Sequence, residues 1–228
     1  SKRLQKMGDK EDAQFLQRFF KTGPGQYGEG DIFLGIRVPA VRKLTKEYKD
    51  ISLKEASTLL KSPYHEIRLF ALIILVNTFD RGDEISQKKI YDLYLSNTRY
   101  INNWDLVDIS APKIVGVYLL NKKKEPLYQL AKSKSLWERR IAMLSTFCFI
   151  RNDQFADALK LAEILLRDQE DLIHKATGWM LREVGKRNTD IAENFLKTHC
   201  RIMPRTMLRY AIERLTPAKR KMYLDGNV

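Results

Sequence analysis

Lys175-Ala176-Thr177-Gly178 is the stretch that decides the fold: a basic residue followed closely by small ones inside an apolar segment. The same pattern stands 35 residues earlier as Arg140-Ile141-Ala142 and 34 residues later as Arg209-Tyr210-Ala211. One period back from Arg140 falls on Asp105, beside Trp104, and about one further period reaches Arg68, followed by Ala71. A period near 35 residues with two helices per unit marks a helical solenoid of the HEAT or TPR sort. The small residues let helices approach closely, and a polar residue at the same place in each unit is carried to the same face. The expectation is an all-α fold, a HEAT-like helical-repeat solenoid, over residues 1–228 as a single domain. Its antiparallel helix pairs would form a C-shaped superhelix, with Arg68, Arg140, Lys175 and Arg209 along one inner surface.

Outward from this repeat the rest of the chain agrees. Few stretches alternate apolar and polar residues, and no Asn-Gly or Asp-Gly turn lies between β-branched runs, so strand signals are nearly absent. Ala56, Leu59 and Leu60 share one helical face, and Leu159, Ala162, Ile164, Leu165 and Leu166 mark another. Pro39, Pro63, Pro204 and Pro217 stand where helices begin, since a fixed φ suits the first turn. Ser52 and Thr189 are expected N-caps. The least regular segment is Thr22 to Asp31, rich in Gly and Pro.

Charge narrows the function. Lys plus Arg number 41 against 28 acidic residues, a formal net charge of +13. An excess of that size implies a polyanionic partner, nucleic acid or an anionic membrane. No apolar run approaches the length of a membrane helix, and Ser1-Lys2-Arg3 leads into no apolar stretch, so neither a membrane span nor a signal peptide is expected. Cys148 and Cys200 do not form a disulfide framework, and His65, His174 and His199 have no metal-ligand spacing, so no metal is expected. The C-terminal segment concentrates positive charge in Arg201, Arg205, Arg209, Arg214, Lys219, Arg220 and Lys221, opposed only by Glu213 before Asp225. A basic concave face suits duplex DNA, because each phosphate neutralised releases counterions and gives affinity without sequence reading.

One segment breaks the basic pattern. In Asn103-Trp104-Asp105-Leu106-Val107-Asp108, Trp104 and Asp108 are four apart and would share one side of a helix, with Asp105 turned about a quarter-turn away. Lys175 and Trp179 repeat the four-residue spacing. Two indoles and one carboxylate would thus project from equivalent places. Core packing for a Trp, and a cap or ion pair for Asp108, are the plain alternatives, and Pro112 threatens to shorten or break the helix.

At these residues the chain resembles the AlkD family of bacterial DNA alkylation-repair glycosylases. The resemblance covers most of the chain. It is carried by Phe33-Leu34-Gly35-Ile36-Arg37-Val38-Pro39, Trp104 to Asp108, Trp137-Glu138-Arg139-Arg140 and Lys175 to Glu183. It implies a HEAT-like superhelix that cradles double-stranded DNA and excises cationic alkylpurines, 3-methyladenine and 7-methylguanine, without flipping the base. It assigns the catalytic carboxylate to Asp108, the sugar-facing indoles to Trp104 and Trp179, and the cleft arginine to Arg140. Tyr27 takes the place of a family tyrosine, with a one-residue shift in its loop, and Arg37 joins Tyr27, Arg68, Arg140, Lys175 and Arg209 as a DNA contact.

The chemistry suits a single carboxylate. Ordinary glycosidases use two, one of them to protonate the leaving group. An N-alkylated purine is already cationic and departs as a neutral base, so no general acid, metal or organic cofactor is required. What remains is to stabilise an oxocarbenium-like sugar and position water, which an anionic Asp108 flanked by indole faces can do. The expected protein is a monomeric base-excision-repair enzyme of the bacterial cytoplasm, associated with the nucleoid. Two other readings stand beside it: a catalytically silent DNA scaffold or damage sensor of the same fold, and a protein-binding solenoid with no DNA role.

Overall fold

The computed structural model describes residues 1–48 and 50–227. Among them there is no strand; the one bridge, Ile32 with Tyr64, is isolated and is accompanied by the His65 amide donating to the Ile32 carbonyl at 2.8 Å. The all-α class expected from the sequence is what the chain adopts. Two compact units divide it, Ser1–Ser110 and Ala111–Val228.

The first unit holds α1 (Lys2–Lys6), α2 (Lys10–Phe19), α3 (Val38–Thr45), α4 (Leu53–Leu60), α5 (His65–Arg81), α6 (Glu84–Leu95), a 3-10 turn Thr98–Tyr100 and most of α7 (Trp104–Ala111). Ser52 caps α4 as expected and closes a reciprocal capping box with Glu55. Pro39 lies in the first turn of α3, whereas Pro63 stands two residues ahead of α5. Of the face expected on α4, Ala56 and Leu60 are buried and Leu59 is half-buried. The central element is α5, buried from His65 to Val76 and apolar all round from Leu69 to Val76, against which α3 and α4 pack. The irregular segment Thr22–Asp31 forms successive turns without a helix.

The second unit begins with a π-helical stretch, Pro112–Gly116, followed by α8 (Val117–Leu119), α9 (Glu125–Leu130), α10 (Leu136–Arg151), α11 (Ala156–Leu165), α12 (Asp171–Arg187), α13 (Thr189–His199), α14 (Arg205–Ala211) and α15 (Pro217–Asp225). Pro112 has no amide hydrogen to continue the α-helical ladder, and the backbone shifts to the wider turn at that residue. The repeat is plain here. Arg140, Lys175 and Arg209 are each the fifth residue of α10, α12 and α14, and these three helices pack side by side in that order. Gly178 explains the closeness of the last two: a Cβ there would stand 2.3 Å from the Met207 carbonyl oxygen and 2.6 Å from Tyr210 Cβ. The cap of α13 is Asn188, whose side chain accepts from the Ile191 amide at 3.0 Å, one residue before the expected Thr189. Thr189 instead bonds back to the Gly185 carbonyl.

Candidate active site

The first turns of α7 are built from the polar residues around them. Trp104 opens the helix and Asp108 follows one turn later, so both reach the same side, as the four-residue spacing requires. They line a cavity of about 450 Å³ in the first unit, walled by Leu16, Phe19, Phe20, Phe33 and Leu69, with Arg37, Glu66 and Asp105 at its polar parts. Trp104 is half-buried. Its ring stacks on Phe20 with centroids 5.2 Å apart and meets Phe19 edge-on at 6.2 Å. It therefore does both things the sequence allowed: it packs against the Leu16–Phe20–Phe33 cluster and it borders an open cavity.

Beneath the cavity lies a buried charged network. His65, the first residue of α5, is 1% exposed. Its Nδ1 is 2.8 Å from an Asp31 oxygen and its Nε2 2.9 Å from an Asp105 oxygen. The second Asp31 oxygen accepts from Arg68 Nη2 at 2.6 Å, and Asn103 Nδ2 donates to Asp31 at 3.2 Å. The imidazole ring stacks on Phe33 at 4.4 Å and lies 5.2 Å from Phe20. Burial would pull the His65 imidazolium down, but the charge and hydrogen bond of Asp105, then those of Asp31, outweigh it and push its pKa up to about 9. Burial would raise Asp31, yet His65 and Arg68 hold its carboxyl below the usual range. Glu66, next along α5, has different partners. Its carboxylate accepts from the backbone amides of Leu34 and Gly35 at 2.8 Å and of Ile36 at 3.1 Å, which fixes the segment carrying Phe33 and Arg37 to α5.

These shifts give a signed expectation. A histidine whose folded pKa is near 9 and whose unfolded value is near 6.5 adds stability that is complete below pH 6.5 and is lost as pH rises through 9. Asp31 adds stability present above pH 3.8 and lost as pH falls below it. Urea midpoints should therefore hold level between about pH 5 and 6.5 and fall toward pH 9.5, by on the order of 3 kcal/mol. In His65→Gln the alkaline fall should disappear; its persistence there would assign it to other groups.

The remaining expected site residues are placed unequally. Arg68 is a correction. It is 4% exposed and its guanidinium bonds Asp31 and the carbonyls of Ser62 and Pro63, so it is an internal tie and does not present itself to a phosphate. Arg140 is 5% exposed, with Nη1 donating to the Leu172 carbonyl at 2.6 Å. Its neighbour Arg139 is held by Asp168 and by the Ser133 and Lys134 carbonyls. Lys175 is half-exposed and pairs with Asp171 at 2.8 Å, while Arg209 is exposed. Trp179 is half-buried, donates from Nε1 to Glu183 at 3.1 Å and lies 6.0 Å from Phe147. In the first unit Arg37 is exposed, paired with Asp12, and its guanidinium sits 5.0 Å over the Phe15 ring. Tyr27 is half-buried in the turns before Asp31.

Sequence reasoning missed His65, Asp31 and Asp105 as a unit, and Phe19, Phe20 and Phe33 as the cavity wall. A signal was present: His65, Glu66 and Arg68 are ionisable residues at the head of an otherwise apolar helix, which is costly unless each finds a partner.

No curated protein matches the chain in sequence. Among solved structures it is similar to one described as a predicted DNA alkylation repair enzyme from Enterococcus faecalis. That likeness has a TM-score of 0.70 at 18% identity, over 92% of this chain and 97% of that one, and it establishes the shared fold. The model of the DNA alkylation repair enzyme family matches residues 1–215. With a match over nearly its whole length, and with Trp104 and Asp108 opening together on an aromatic cavity, the chain belongs to the DNA alkylation repair enzyme family.

Proposed function

We propose that the protein is a monofunctional DNA glycosylase of base excision repair. It hydrolyses the N-glycosidic bond of cationic alkylpurines, 3-methyladenine and 7-methylguanine, in duplex DNA without flipping the base. The observation that carries this reading is the pair on α7: an indole and a carboxylate one turn apart at the rim of an aromatic cavity. As the bond to the cationic base lengthens, positive charge passes from the purine to the sugar. Asp108 stabilises that charge and orients water, and the Trp104 face adds favourable contact with the developing cation. The base leaves neutral and needs no proton, metal or cofactor.

Trp179 is proposed to serve the sugar as Trp104 does, and Arg140 remains the proposed cleft arginine. Lys175, Arg209, Arg140, Arg37 and Tyr27 are the proposed DNA contacts, with Arg68 withdrawn from that set. Both units serve this one activity in a monomer, in the bacterial cytoplasm and on the nucleoid. The net charge of +13 supports an affinity dominated by phosphates.

The test is incubation with duplex carrying one 7-methylguanine, followed by alkali cleavage at abasic sites. Strand cleavage at the lesion, with duplex affinity that falls steeply as salt rises and falls further in Lys175→Ala, is the expected result. Salt-sensitive binding without abasic sites would support a silent scaffold, and absence of DNA binding would remove both readings.

A further inference from the structure

The His65 network is buried, charged and unused by the chemistry proposed above. Ionised carboxylates only accept hydrogen bonds, and both ring nitrogens of His65 face carboxylate oxygens, so both must carry a proton. The cluster then balances: the charges of Asp31 and Asp105 are met by those of His65 and Arg68. Two carboxylates of α7, Asp105 and Asp108, are three residues apart and both border the cavity. At that spacing their Cβ atoms are about 5–6 Å apart, and two like charges there oppose each other's ionisation.

We propose that His65 is a positioning residue for Asp108: clamped between Asp31 and Asp105, it docks the first turn of α7 and cancels the charge of Asp105. A second carboxylate one turn further along then stays ionised beside the substrate. This rests on the reading of Asp108 as the catalytic carboxylate. Asp105 is tied to His65 through Oδ2 while its Oδ1 accepts from the Leu106 amide at 2.8 Å, so its side chain is fixed in the helix start. Asn103, just before α7, reaches the same Asp31 and its own oxygen accepts from the Trp104 amide at 2.8 Å. The entry of α7 is thus tied to His65 directly through Asp105, and through Asn103 to the same Asp31 that holds His65.

Among the described residues, charged groups approach His65 from several elements. Arg68 and Glu66 share its helix, the first on Asp31 and the second on the Leu34–Ile36 amides. Asp31 precedes it from the turn segment. Asp105 and Asp108 face the cavity from α7, and Arg37 lines the cavity but is engaged by Asp12. The raised pKa of His65 means that it keeps its charge throughout the neutral range.

The test is the carboxyl titration of Asp108, followed by ¹³C NMR with the resonance assigned through Asp108→Asn. Alongside it runs the acid limb of single-turnover excision of 7-methylguanine. In His65→Gln both midpoints should move up by between about 0.5 and 2 pH units, the range for unit charges this close at a protein surface. In the double variant His65→Gln with Asp105→Asn they should return toward the wild-type value, a rescue that a purely structural role for His65 does not produce. Asp105→Asn alone, with His65 kept, should move them down, and this arm decides the question if His65→Gln does not fold. An unmoved Asp108 titration, or no return in the double variant, overturns the proposal. The NMR arm reads without turnover, so a wild type that releases no base would overturn the glycosylase reading while the titration still decides the role of His65.

Discussion

Asp108→Asn should slow excision of 7-methylguanine by about 10²–10³-fold, the usual cost of removing one preorganised electrostatic stabiliser. The substitution keeps the shape and reach of the side chain and removes only its charge. The loss should lie toward the lower end, because a cationic base is already a good leaving group. Affinity for DNA should hold or rise, since taking a negative charge from a strongly basic protein favours phosphate approach. Trp104→Ala should slow excision less. Its ring also stacks on Phe20, so the same change loosens the cavity wall, and its effect must be read beside a stability measurement. Single-turnover rates and binding isotherms on one duplex separate these terms. Rates that fell only in step with affinity would place Asp108 in binding and not in the chemistry.

The second large effect is expected at Gly35. Its φ of +84° is a conformation that only glycine adopts readily, and a Cβ there would stand 2.0 Å from the Asp9 carbonyl oxygen and 2.7 Å from the Ala13 amide nitrogen. Both neighbours are backbone at the start of α2, where the Asp9 amide also donates to Leu34 at 2.9 Å, so neither can swing aside. Gly35→Ala combines backbone strain of about 1–3 kcal/mol with an overpacking cost of about 1–3 kcal/mol. The Gly35 amide also donates to Glu66, so displacing it loosens the segment that carries Phe33 and Arg37. Urea unfolding should show a midpoint lowered by the equivalent of about 2–6 kcal/mol at unchanged slope. A loss under about 1 kcal/mol would mean that α2 shifts freely.

The repeat was legible because it is written in one dimension. A basic residue returning every 34 or 35 positions marked the same place in successive helices, and it is the fifth residue of α10, α12 and α14. What periodicity does not carry is depth. Arg68 and Arg140 read like Lys175 and Arg209, yet they are 4% and 5% exposed while Arg209 is exposed. Whether an arginine faces water or an internal acceptor depends on residues distant in sequence, such as Asp31 for Arg68 and Leu172 for Arg140. The candidate site divides likewise. Trp104 and Asp108 were legible because a four-residue spacing puts them on one face, and the resemblance to a known family gave them roles. The wall of Phe19, Phe20 and Phe33 and the His65 clamp were not, since they assemble from α2, an irregular segment, α5 and α7. Pro112 was expected to shorten or break the helix; α7 ends at Ala111, and the backbone goes on as a π turn, which accommodates a residue with no amide hydrogen.

The most direct test is release of free base. Duplex DNA bearing 7-methylguanine is incubated with excess protein and a metal chelator, and the small-molecule fraction is analysed by mass spectrometry, with Asp108→Asn run in parallel. Release of intact 7-methylguanine by the wild type despite the chelator, slower by about two orders of magnitude or more in the variant, is the expected result. Equal release by the two proteins, or none from a wild type that binds the duplex, would contradict it.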